Sequence, residues 1–319
     1  MHLVITIDTE EDNWSDYDAA PALSNIPRLL KLQELFDAYK AKPTYLVSYP
    51  VAADAGSSSL LRTIMEDGRC EIGAHLHPWN TPPFEEKRCV ENTMLFRLDP
   101  ELQYRKMVSL HAKIRENFGV EPVSFRTGRW GFDLTVARNI HRLGYKVDTS
   151  VSPYLNWETY HGPDFSGWTP EPREIPIGNG AAPDKSLLEV PATIGYLQSN
   201  QELCDTVYNA ISASRLRHFR LRGVLDRLNL LNKVWLSPEP DTSEKMIRLA
   251  ATFGKMDFPV LNLFFHSPSL KHGLTHFTKT VEEEKELFDR VERFLAYADL
   301  SGIRSIGLSE VQKIMAQMA

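Results

Sequence analysis

The residues of this chain that could do chemistry gather in a few short runs. An apolar stretch, Leu3-Val-Ile-Thr-Ile7, ends in the acids Asp8-Thr9-Glu10, with Glu11 and Asp12 directly behind. A second run, Glu71-Ile-Gly-Ala-His75-Leu76-His77-Pro78-Trp79, carries two histidines two positions apart. Side chains of an extended chain alternate with period two, so His75 and His77 point the same way if this segment is a strand. Two imidazoles with a carboxylate nearby are a donor set for a divalent metal, although His-x-His alone is also what two unrelated loop histidines look like. Three further polar clusters follow apolar stretches: Phe125-Arg126-Thr127-Gly128-Arg129-Trp130-Gly131, Val147-Asp148-Thr149-Ser150, and Leu261-Asn262-Leu263-Phe264-Phe265-His266-Ser267.

The elements that must position these clusters can be read from periodicity. Leu3–Ile7 is a short β-branched strand, Asn25–Ala41 repeats apolar residues at helical spacing, and Pro43–Tyr49 is the next strand. Ser59–Asp67 reads as a helix closed by Gly68, and Cys70–Ala74 as a strand that delivers His75. A helix over Pro100–Phe118, a strand over Val123–Arg126, a helix over Asp133–Leu143 and a strand over Lys146–Thr149 continue the rhythm. Strand followed by helix, repeated, implies a largely parallel sheet, and ligands of such sheets collect at the carboxyl ends of the strands. Every polar cluster named above lies at such an end. Residues 154–195, rich in Pro, Gly and Trp, read as an irregular excursion with short strands such as Ser186–Val190. Either a lid or a plain surface insertion accounts for it. Residues 200–254 look helical, Val260–Phe265 is a buried strand delivering His266, Val281–Ala298 is a helix with acids first, and Ile303–Ile306 is a last strand before a terminal helix.

Composition narrows the function classes. The 319 residues suit two domains or one large α/β barrel, and 42% hydrophobic with 24% charged residues is ordinary for a globular protein. A net charge of -6 argues against nucleic-acid binding. The amino terminus lacks a basic segment and a long apolar core, no stretch reaches membrane-spanning length, and three cysteines without paired spacing favour free thiols. A cytoplasmic protein is the expectation.

Taken in order, the five clusters resemble the motifs of the polysaccharide deacetylases, also called the NodB homology or carbohydrate esterase 4 family. The first motif is matched by Thr6-Ile7-Asp8-Thr9-Glu10, the second by Gly73-Ala74-His75-Leu76-His77-Pro78, and the third by the Phe125–Gly131 run. The fourth is matched by Val147–Ser150 and the fifth by Leu261–Ser267. The resemblance covers most of the chain. It implies an α/β fold, a deformed (β/α) barrel with a mainly parallel central sheet, formed by one catalytic domain over 1–319 with an irregular and helical insertion at about 154–254.

It also implies roles. Asp8 falls on the general base, and Glu10 is the candidate carboxylate ligand because Thr9 stands where the family usually has a second aspartate; Glu11 or Asp12 could substitute. His75 falls on the first histidine ligand. The family's second histidine usually lies four residues after the first, where Trp79 stands, so either His77 binds the metal across a shorter loop or it contacts substrate. Arg126 would pair with the base, Asp148 would stand behind His266, and His266 would be the general acid. Arg129, Trp130 and Trp79 would line the substrate groove, and Leu263 would help form the acyl pocket. The cofactor implied is one divalent ion, zinc with cobalt or nickel as alternatives, and the reaction is removal of an N-acetyl group from an amino sugar in surface polysaccharide or lipopolysaccharide synthesis. A deformylase or other amide hydrolase of the same fold, and a glycan-binding protein that has lost its metal site, are the competing readings.

One feature lies outside the motifs. Arg215, Arg217, His218, Arg220, Arg222 and Arg227 are a basic concentration in an acidic chain, interleaved with leucines over 215–231. Such a helix could touch a membrane surface peripherally or hold a phosphate-bearing group, or could be a solvated face. A lipid-linked or nucleotide-linked sugar is therefore the expected form of the carbohydrate partner, while the sequence gives no oligomeric state.

Overall fold

The computed structural model describes residues 1–178, 185–213 and 221–318. In chain order its elements are β1 (His2–Thr9), α1 (Arg28–Ala38), β2 (Thr44–Val47), α2 (Tyr49–Ala53), α3 (Ala55–Met65), β3 (Glu71–Leu76), α4 (Pro100–Phe118), β4 (Ser124–Thr127), α5 (Leu134–Arg142) and β5 (Val147–Asp148). Then come β6 (Arg173–Pro176), β7 (Ser186–Glu189), β8 (Ile194–Tyr196), α6 (Gln201–Ala213), α7 (Leu221–Arg227), β9 (Lys233–Trp235), α8 (Ser243–Lys255), β10 (Val260–His266), α9 (Val281–Leu300), β11 (Arg304–Ser305) and α10 (Val311–Met318).

Local chemistry sets several boundaries. Asp99 caps α4 by accepting from Glu101 and Leu102 N–H groups, Pro100 opens it, and Gly119 at φ 68° closes it. Thr280 and Glu283 form a capping box at the start of α9. The third helix begins at Ala55 rather than at the expected Ser59 because Asp54 accepts from Ser57 N at 2.7 Å. The second strand stops at Val47, short of the expected Tyr49, because Tyr49-Pro50 opens α2.

The main sheet runs β10-β1-β2-β3-β4-β5-β7-β6, with β11 also beside β1. All its pairings are parallel except β6 with β7. No ladder joins β7 to β10. The chain leaving β7 bridges that gap: Thr193 N donates to Asn262 O, Asn262 N donates to Thr193 Oγ1, and the Asn262 amide reaches the Val190 and Pro191 carbonyls. The result is a mixed α/β, deformed barrel with a mainly parallel sheet, as the sequence suggested. Beside it, β8 and β9 form a separate antiparallel pair, so the stretch 200–254 is not helical throughout.

Strand alternation sorts the side chains into two environments. Leu3, Ile5 and Ile7 of β1, Ile72, Ala74 and Leu76 of β3, and Leu261, Leu263 and Phe265 of β10 join the large core under the helices. Val4, Val147, Leu188, Val190 and Val260 face inward and meet Leu308 and Val311, so the barrel floor is apolar and closed by the carboxyl-terminal segment. Above it lies a polar layer: Thr6 donates to Asn262 Oδ1, and Arg126 donates to Thr6 and to Thr149. The next inward positions, at the carboxyl ends of the strands, hold the candidate site. No helix among the described residues is long and apolar enough to cross a membrane.

Candidate metal centre

The first residue above the polar layer on β1 is Asp8, and the next inward position is Glu10. On β3 the equivalent positions are His75 and His77. The backbone at His77 stays extended (φ -105°, ψ 130°), which keeps both rings on one side. Three donor atoms meet there: Glu10 Oε2 lies 2.7 Å from His77 Nε2 and 3.3 Å from His75 Nε2, and the two Nε2 atoms are 3.0 Å apart. All three residues are buried. Glu11 and Asp12 turn elsewhere: Glu11 accepts from Asn80 at 2.6 Å and from Ser48 at 3.2 Å, while Asp12 ties down the Ser24-Asn25 backbone.

The electrostatics of the trio fit a cation. Burial lowers the His75 pKa to about 4 and pushes that of His77 well below its ordinary value, with His75 and Arg129 adding to the effect. Both rings are therefore neutral and offer lone pairs. Burial, reinforced by Asp8, Glu11 and Glu239, pushes Glu10 well above the usual carboxylate range. Three inward donors packed this closely, with Glu10 Oε1 and both Nδ1 atoms lacking a partner, are poorly satisfied by one another. A divalent ion shared by Glu10 Oε2 and the two Nε2 atoms would relieve their crowding, and a two-imidazole, one-carboxylate set leaves positions for water and substrate. Among the described residues, Glu10, His75 and His77 form a buried group able to hold a metal.

Two charged pairs flank the trio. Arg126 Nη1 donates to Asp8 Oδ1 at 2.7 Å. Burial favours the neutral acid, but Arg126, His75 and His266 outweigh it and hold Asp8 below its usual range. Opposite, His266 Nε2 is 3.7 Å from Asp8 Oδ2. Its Nδ1 is 2.9 Å from Glu239 Oε2, and Ser269 Oγ also donates to Glu239. Burial works against a charged imidazole here, yet Glu239 raises the His266 pKa above its ordinary value. Trp14 stacks flat on His266, with ring centroids 4.6 Å apart and planes within 5°.

Above the trio opens a cavity of about 600 Å³. Its floor is charged and its walls are aromatic: Trp130, Trp157, Tyr160, Trp235, Phe264 and Phe277 line it. Trp130 meets Phe264 edge-on at 5.8 Å, and the Arg126 guanidinium lies 5.5 Å from the Trp130 ring centroid. Arg129 and Trp130 sit at φ 54° and 58°, a conformation costing side-chain-bearing residues about 1 kcal/mol or more each. That turn follows Gly128, whose backbone lies against the face of His77; a β-carbon there would overlap the ring. The glycine of the third cluster is thus required by the second.

Three expected assignments are corrected by the geometry. Asp148 does not stand behind His266. Its neighbour Val147 faces the barrel interior, so Asp148 faces out, where it accepts from Ser150 N and Oγ and adjoins Glu189; Glu239, from the loop after β9, holds His266 instead. Leu263 is fully buried in the outer core, since alternation along β10 turns Asn262, Phe264 and His266 inward. Trp79 lies behind His77, centroids 4.1 Å apart, and lines a smaller recess with Tyr17 and Phe84 rather than the main cavity. Arg129 reaches the cavity edge but is held by Thr93 Oγ1 and the Ser15 carbonyl. Glu239, Trp14 and Trp235 carry no spacing signal, although Ser237-Pro238-Glu239-Pro240 does place an acid after an apolar run.

Comparison of the sequence with models of known families and with curated proteins finds no match. Solved structures do match. A candidate glycoside hydrolase/deacetylase from Parabacteroides distasonis aligns with a TM-score of 0.63 at 10% identity, over 100% of this chain and 71% of that one. A candidate polysaccharide deacetylase from Mycobacterium smegmatis aligns with a TM-score of 0.57 at 15% identity, over 99% of this chain and 91% of the other. The Puue allantoinase aligns with a TM-score of 0.53 at 13% identity, over 99% and 90%. The chain has the fold shared by these proteins, that of the polysaccharide deacetylases.

Proposed function

We propose that this chain is a metal-dependent hydrolase of a carbon-nitrogen amide bond, removing the N-acetyl group of an amino sugar during assembly of a surface glycan. The observation that carries the reading is the convergence of Glu10 Oε2, His75 Nε2 and His77 Nε2 within 3.3 Å of one another, between an Asp8–Arg126 pair and a His266–Glu239 pair. Glu10, His75 and His77 would hold the ion, zinc or a cobalt or nickel substitute. When bound, such an ion polarises the amide carbonyl and acidifies water.

The chain's own residues account for the protons. Asp8, kept ionised by Arg126, takes a proton from the attacking water as its oxygen bonds to the carbonyl carbon. His266, kept protonated by Glu239, gives a proton to the amide nitrogen as the carbon-nitrogen bond breaks, so the products are a carboxylic acid and an amine. The aromatic walls suit the face of one sugar ring. Among the described residues, the arginines lining the cavity, Arg126 and Arg129, are both engaged by protein partners. Neither is left to pair with a phosphate, which favours a carrier phosphate held outside the cavity. A small cyclic amide is the alternative consistent with the allantoinase likeness, and ring opening without acetate release would identify it.

Metal analysis of the purified protein tests this reading first. Near-stoichiometric zinc after incubation, lost in His75→Ala, supports it; no bound metal would leave a glycan-binding protein on an enzyme fold. Acetate release from N-acetylated amino-sugar donors, abolished in Asp8→Asn, tests the base.

A further inference from the structure

A recess of about 210 Å³ lies beside the catalytic cavity, with Tyr17, Trp79 and Phe84 among its walls. The two spaces share a partition. In the stretch after β3, Val90 and Met94 line the cavity, whereas Cys89, Asn92 and Thr93 line the recess. Arg129, at the cavity edge, holds its guanidinium 5.0 Å from the Trp79 ring centroid and 5.9 Å from that of Tyr17, and donates to Thr93 Oγ1 at 3.1 Å. Trp79 packs in turn on His77. One indole therefore stands between the recess and a candidate metal ligand.

The lining says what would fill it. Phe84 leaves 65% of its surface exposed, and an aromatic ring exposed in a concave site is a platform for the apolar face of a ligand. Glu86 supplies the polar counterpart. Its side chain is 9% exposed; Lys106 Nζ holds Oε1 at 2.9 Å, while Oε2 is buried with no hydrogen-bond partner. A buried acceptor left open costs free energy until a donor reaches it. A molecule with an apolar ring face and hydroxyl donors at its edge answers both features, and that is the chemistry of a pyranose. We infer, on the reading of the neighbouring cavity as an amino-sugar site, that the recess is a subsite for a second sugar ring of the same glycan, its face on the aromatic walls and its hydroxyls donating to Glu86. The volume is below the roughly 300 Å³ at which sites for drug-sized ligands begin, so one ring fills it.

A phosphate-bearing carrier group suits the recess less well. Arg88, which also lines it, is paired with Asp18 at 2.9 Å and donates to the Tyr17 carbonyl at 3.1 Å. That leaves the exposed Lys87 to meet a phosphate, and the open Glu86 oxygen would repel the anion. Every residue of the recess is described, whereas the chain's basic stretch, Arg215, Arg217, His218 and Arg220 with the Arg222 side chain, lies outside the described residues.

A thiol reports on the recess directly. Cys89 lines it and is part-exposed, whereas Cys70 and Cys204 are buried, so alkylation of the folded full chain by iodoacetamide reads Cys89 and should vanish in Cys89→Ser. Oligomers of two to four N-acetylglucosamine rings should slow this alkylation, at concentrations about three- to ten-fold lower than the single sugar needs, because a further stacked ring contributes about that factor. Phe84→Ala should raise the protecting concentration of the oligomers by the same factor, with an unchanged circular dichroism spectrum because the side chain is exposed. Uridine diphosphate should not protect. An alkylation rate that no oligomer slows, protection that Phe84→Ala leaves undiminished, or protection by uridine diphosphate in place of the oligomers would each overturn the assignment. Acetate release is read separately from thiol protection. Release without protection would refute the subsite alone, while protection without release would leave the subsite standing and count against the hydrolase reading.

Discussion

Glu239→Gln isolates one charge with little change of shape. The carboxylate lies 2.9 and 3.1 Å from His266 Nδ1 and accepts from the His266 backbone N–H at 3.2 Å. Glutamine keeps an oxygen for the backbone and for Ser269 but loses the charge. Burial and Arg126, which both disfavour the imidazolium, are then unopposed except by Asp8. An opposite charge at this distance in a buried setting shifts a pKa by about 1 to 2. In the proposed reaction His266 acts as an acid, so activity is expected below its folded pKa and is lost as pH rises through it. The alkaline limb of the pH profile should therefore move to lower pH by about 1 to 2, which means about 10- to 100-fold less activity on that limb. Activity well below pH 6 should change little. The same shift should appear without substrate, as a lowered midpoint for the His266 ring protons in NMR titration of zinc-loaded protein. An unchanged or raised midpoint in the folded variant would refute the argument that Glu239 keeps His266 protonated.

Three further perturbations separate the other parts of the structure. Gly128→Ala should push the His77 ring aside and weaken zinc binding by about 10- to 100-fold while leaving the helical spectrum intact, as read by competition with a chelator. Lys106→Met removes a buried ammonium that donates to the Pro78, Thr81 and Pro83 carbonyls and pairs with Glu86 at 2.9 Å; urea unfolding should show a loss of about 3–5 kcal/mol. Burial raises Asp148 from 3.8 to about 6, outweighing the hydrogen bond with Glu189 that acts the other way, so the folded state keeps a proton that the unfolded chain has released. Its stability falls as pH rises from about 4 to 6 and is level above, a change of about 3 kcal/mol. Urea unfolding of Asp148→Asn across that interval should show a flatter slope, and an equal slope would exclude Asp148 as its source.

The parts of the site that were legible in the sequence are those carried by β1, β3, β4 and β10. Each is a run of buried residues whose last inward position is polar, so Asp8, His75, Arg126 and His266 announce themselves at strand ends. The errors come from two physical sources. Alternation decides which of two neighbours faces inward, and a two-residue strand such as β5 gives too little pattern to tell Val147 from Asp148; the same rule displaces Leu263 in favour of Phe264. Glu239 follows β9, three residues that sit between helices and leave no periodic trace, and its link to His266 spans 27 positions. No local pattern in a sequence carries a contact of that kind. The compressed His-x-His spacing was decided by backbone extension at His77 and by the space that Gly128 leaves for its ring.

The apolar plug under the barrel, where Val4, Val147 and Val260 meet Val311, has a kinetic consequence. A chamber sealed below would pass both products of the proposed reaction through its upper side. In the proposed reaction the acid would form against the floor, beneath the larger amine, and would leave second, in a fixed order. Acetate added from outside would then re-enter an empty chamber and occupy the place the next substrate needs, inhibiting competitively, while the amine product would inhibit in a different pattern.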